Sequence, residues 1–100
     1  MARILYFVTD IDPMSIRLAS EHNGSEVGIC LLQDAVYFGC KGKNGNGTLT
    51  KAIKRGVSVF AAKKDVELRG LRRLLHSEIK LLDYGEIIDL VLNHERIVNI

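Results

Sequence analysis

Strand-like runs that alternate with helical segments along the whole chain predict a three-layer α/β/α sandwich around a five-stranded, mainly parallel sheet. Three observations carry this reading. The run Val27 to Leu32 is apolar with only Gly28 as interruption, so neither of its faces is meant for water, as in the central strand of a covered parallel sheet. Helical periodicity separates most of the strand-like runs. The chain has 100 residues, 47% of them apolar and 26% charged, which suits one domain with one core; a chain of this size buries about two-thirds of its unfolded surface.

Arg3 to Thr9, RILYFVT, is β-branched and aromatic, as a strand requires, and the turn residues of TDIDP end it. Asp12 can cap a first helix with Pro13 at its first position, and Asn23-Gly24 supplies left-handed residues that stop it. The second strand ends in Gln33-Asp34, and Ala35 to Gly39 can start a short helix. The glycines, lysines and asparagines of Lys41 to Gly47 then break all periodicity and read as a surface loop. Thr48 or Thr50 can cap a helix through Arg55, with Leu49, Ala52 and Ile53 inward and Gly56 closing it. Val57 to Ala61 is the third strand.

Asp65 is expected to cap the next helix, with Leu68, Leu71, Leu74 and Leu75 on one face and Arg69, Arg72 and Arg73 on the other. Ile79 to Leu82 is a fourth strand ending in Asp83-Tyr84. Ile87, Ile88, Val91 and Leu92 form the apolar stripe of a last helix, and Ile97 to Ile100 closes the chain as a short strand.

Net charge is +2 but unevenly spread: residues 41 to 80 hold eleven Lys/Arg against Asp65, Glu67 and Glu78, and the rest of the chain is net acidic. Such a basic region suits RNA phosphates or an acidic protein, and equally an ordinary solvated surface. No apolar run approaches the roughly 18 residues of a membrane span. Two cysteines without metal or C-x-x-C spacing, and no secretory leader pattern, make the cytoplasm the expected compartment.

Asp10, Asp12 and Asp34 could gather at strand ends around a magnesium ion. Asp12 already has a capping role, however, and no strand-end lysine completes such a site, so no metal or other cofactor is expected. GKNGNGT lacks the G-x-x-x-x-G-K-[ST] spacing of a phosphate loop. Cys30 lies inside an apolar strand, where a thiol is an inert small hydrophobe. Cys40 stands between Gly39 and Lys41, with Lys43 near, and is the one candidate nucleophile or persulfide acceptor; the preferred reading is a partly buried cysteine at a helix end. His22, His76 and His94 each fall near a helix end, where an imidazole can meet the last carbonyls.

LLQDAV at Leu31 to Val36, KKDVELRGL at Lys63 to Leu71 and LLDYGEIIDLVLNH at Leu81 to His94 together resemble the DsrH/TusB family of sulfur-relay subunits, over nearly the whole chain. The resemblance implies a small α/β/α domain that assembles with homologous subunits of the DsrE/TusD and DsrF/TusC types, or with its own kind. It implies a role in persulfide transfer toward 2-thiolation of the transfer RNA wobble uridine or in oxidative sulfur metabolism. Two departures bear on the role. Ala35 stands where the family usually has Gly after the Gln-Asp pair. The region matching the sulfur-carrying cysteine of DsrE/TusD subunits, SVFAAKK, offers Phe60 and Ala61 and no thiol.

The expectation is therefore a non-catalytic subunit. Gln33, Asp34, Tyr37, Asp65, Asp83 and Tyr84 stand at element ends where subunits or a small pocket could meet, and Tyr37, Phe38 and Tyr84 could form an aromatic interface. The rivals are a sulfurtransferase using Cys40 and an RNA-binding module using Arg69, Arg72 and Arg73.

Overall fold

The computed structural model describes residues 3–9, 27–40, 51 and 53–99. The first helix with Asp10, Asp12, Pro13, His22 and Asn23-Gly24, the loop Lys41 to Gly47, and the caps Thr48 and Thr50 lie outside the described residues. Five strands, β1 (Ile4–Val8), β2 (Val27–Leu31), β3 (Ser58–Ala62), β4 (Lys80–Leu82) and β5 (Arg96–Asn99), form one sheet in the order β4-β3-β2-β1-β5. Every pairing is parallel. β2 is the middle strand and all five of its residues are buried, which is why its sequence shows no alternation.

From β1 to β4 the chain steps across the sheet one strand at a time. Helix α2 (Tyr84–Leu92) then carries it from the β4 edge back to the opposite edge, beside β1. With right-handed crossovers, this reversal of direction puts α2 on the opposite face from Val36, Phe38 and Val66. The core divides accordingly. Tyr6, Val8, Ile29, Leu31, Val59 and Ala61 face a layer built from Val36, Phe38, Val66, Leu71 and Leu75, while Leu5, Cys30 and Ala62 face Ile87 of α2.

Between β2 and β3 the short helix after Gln33 is a 3-10 helix, Gln33–Gly39, and Ile53 and Lys54 are helical. Gly56 follows at φ +93°, a left-handed residue where the sequence asks for a helix stop. The helix after β3 differs from expectation. Helix α1 (Lys63–Leu68) follows Ala62 directly, and Asp65 sits inside its first turn without capping it. Gly70 at φ +63° then breaks the chain into a second 3-10 helix, Arg72–Leu74. The reason is the glycine: it makes a left-handed turn inexpensive where a continuous helix would have kept all the leucines on one stripe. Leu71 and Leu75 are buried, but Leu68 and Leu74 are exposed, so the single leucine face and the opposing arginine face do not exist.

Both thiols of the chain are buried, Cys30 completely and Cys40 at 2% exposure. Cys40 follows the first 3-10 helix, donates its N–H to the Tyr37 carbonyl, and pairs with Leu75 in an isolated antiparallel bridge that His76 extends by donating to Gly39. That clamp turns its side chain into the core, in line with the helix-end reading and against a cation-flanked loop thiol. Burial, with the Asp65 carboxylate as a second cause, pushes the Cys30 thiol up to about 12.

Two outcomes are expected. A thiol reagent at mildly alkaline pH should modify neither cysteine of the folded protein and both on denaturation. Because the folded pKa of Cys30 lies above the unfolded one, its neutral form stabilises the fold below the ordinary thiol range, and that contribution is lost as pH rises toward about 12. Urea titrations across alkaline pH should show stability falling in the wild type more steeply than in Cys30→Ala.

Candidate functional site

At the carboxyl end of β2 the chain makes a tight, left-handed entry into the first 3-10 helix. Gln33 has φ +52°, an unusual conformation for a residue with a side chain. Ala35, in the position where the family pattern has glycine, is buried with its N–H donating to the Leu32 carbonyl at 3.0 Å. The left-handed residue is thus two positions earlier than the glycine pattern suggests. The Gln33 N–H donates to Asp65 Oδ2 at 2.8 Å, joining the end of β2 to the first turn of α1.

Arg69 completes this junction. Its Nη2 and Nε donate to Asp34 Oδ1 at 2.9 and 3.3 Å, its Nη1 donates to the Asp65 carbonyl at 3.2 Å, and Nη1 lies 3.6 Å from Asp65 Oδ1. Three of the expected site residues, Gln33, Asp34 and Asp65, are therefore brought together, and Arg69 is the fourth member instead of a free RNA contact. Arg72 pairs with Glu67 at 3.6 Å, and Arg73 is exposed on the second 3-10 helix. The cluster holds one cation between two carboxylates and no nucleophile. Its chemistry is that of a fastener between elements.

Asp83 and Tyr84, at the end of β4, belong to a neighbouring groove. The Asp83 carboxylate accepts from the Glu86 N–H at 2.8 Å and Glu86 Oε1 accepts from the Asp83 N–H at 3.0 Å, a full capping box that starts α2. The groove, of about 1020 Å³, runs between α1 and α2. Its floor is Phe7, Leu32, Ala62 and Leu82 from the strand ends; Lys63, Lys64 and Asp65 stand on one wall, and Tyr84, Ile88 and Leu92 on the other. Asp65 touches both the groove and the polar cluster. Tyr37 is 42% exposed on the first 3-10 helix and does not line the groove, whereas Phe38 is buried in the core and cannot serve an interface.

Ile88 and Leu92 also depart from expectation. They were to share the inner stripe of the last helix with Ile87 and Val91, but they are 54% and 77% exposed. On a helix of period 3.6, Tyr84, Ile88 and Leu92 form an i, i+4, i+8 ridge rotated away from Ile87. The i, i+4 spacing in the sequence held this signal; an apolar stripe wider than one sheet contact can cover also predicts an exposed flank. His94 behaves as expected of a helix-end imidazole, its Nδ1 lying 2.7 Å from the Leu90 carbonyl.

A five-stranded parallel sheet in the order β4-β3-β2-β1-β5, flanked by helices, defines a class of small α/β domains. Three solved structures share this fold: E. coli YchN (TM-score 0.85, 20% identity, all of both chains), a Methanobacterium thermoautotrophicum protein of unknown function (0.80, 12%, all of both chains), and a Bacteroides thetaiotaomicron protein of unknown function (0.72, 15%, 98% of this chain and 95% of that one). Residues 11–97 match the family model described as DsrH like protein. Protein TusB of Photorhabdus laumondii subsp. laumondii is 31% identical over 68 residues, 68% of either chain. This chain belongs to the DsrH/TusB family. Among the described residues, no helix is long and apolar enough to cross a membrane.

Proposed function

We propose that this chain is a non-catalytic subunit of a cytoplasmic sulfur-relay assembly that supports 2-thiolation of the transfer RNA wobble uridine, working beside TusC- and TusD-type subunits. The observation that carries the reading is the burial of both sulfur atoms, Cys30 at 0% and Cys40 at 2% exposure, in a member of the DsrH/TusB family. A persulfide carrier needs an accessible sulfur with a substantial thiolate fraction. Neither thiol here has access, and Cys30 also has its ionisation suppressed. What the chain offers instead is a fastened set of strand ends and an apolar groove, features of a subunit that shapes an assembly.

The rival readings lose ground on particular residues. Cys40 as sulfur acceptor would require breaking its backbone clamp to Leu75 and Gly39. An arginine face for RNA would require Arg69 to leave Asp34 and Asp65. Incubation with a persulfide donor followed by mass spectrometry should find no stoichiometric sulfur on either cysteine, and Cys40→Ser should leave sulfur transfer by the complete assembly nearly unchanged. Stoichiometric sulfur on Cys40 with loss of transfer in Cys40→Ser would make the chain a sulfurtransferase.

A further inference from the structure

We draw no further inference here: the strongest candidate, the apolar groove between α1 and α2 along which Leu68, Tyr84, Ile88 and Leu92 are exposed, is lined by Asp65, Glu67 and Asp83 as well as by Lys63 and Lys64, so its charge selects no occupant, and nothing in the structure shows what covers it.

Discussion

Phe38→Ala is expected to cost about 3–5 kcal/mol of stability, the range for emptying a fully buried aromatic site. Phe38 is 1% exposed and is the largest of the fully buried side chains. It sits on the first 3-10 helix and fills the layer between the sheet and the residues around Leu71, Leu75 and Ile79. The surroundings have little freedom to collapse into the space, because the Cys40–Leu75 bridge and the His76-to-Gly39 hydrogen bond of 2.7 Å hold the backbone on that side. For a domain whose total stability is about 5–15 kcal/mol, such a loss is roughly a fifth of the whole at the least. Urea unfolding of Phe38→Ala beside Tyr37→Ala gives an internal comparison, since Tyr37 is its sequence neighbour and stands partly in solvent. The alanine at 37 should cost less than about 1 kcal/mol; equal losses at the two positions would mean that the core is packed differently.

Asp65→Ala is expected to cost about 1–2 kcal/mol and to loosen the junction between β2 and α1. The carboxylate accepts the Gln33 N–H, which belongs to the left-handed residue at the strand end, and it partners Arg69. A backbone conformation of this kind costs on the order of 1 kcal/mol and persists where its surroundings over-determine it. Without Asp65 the amide must turn to water, and Arg69 keeps Asp34 alone. Partial exposure of the ion pairs limits their share to about 0.5–1 kcal/mol, and the remainder belongs to the amide contact. Hydrogen exchange of the Gln33 amide should quicken by about tenfold in Asp65→Ala, in proportion to the stabilisation removed. An unchanged exchange rate, with unchanged urea midpoint, would mean that the contact contributes nothing in solution.

The sheet was legible in the sequence because its signal is local and strong. β2 announces itself by apolar residues on both faces, and the run Ile79 to Leu82 stops at Asp83-Tyr84, where α2 begins. What could not be read was the side of each helix that meets the sheet. Leu68 and Leu74 have the spacing of core leucines, yet one glycine at φ +63° turns the chain between them and leaves both outside. Ile88 and Leu92 belong to a stripe wider than the available sheet contact, and periodicity alone does not say which edge of a wide stripe is buried. The partners of the site carboxylates were likewise hidden. Asp65 resembles a cap by sequence, and only the approach of the β2 end, 32 residues earlier in the chain, makes it an acceptor for Gln33.

The return of the chain over the sheet also bears on how the molecule comes to exist. Ile4 is paired with Arg96 and Phe7 with Asn99, so the first strand made is completed by the last. During synthesis β1 gains β2 early, while its other edge keeps open N–H and C=O groups until β5 arrives. An unpaired apolar edge is a template for the wrong neighbour. Pairings between such distant segments also close late, because the loop between them must be ordered first. The interval between translation of β1 and arrival of β5 is therefore when the nascent chain is most open to aggregation and to capture by a chaperone.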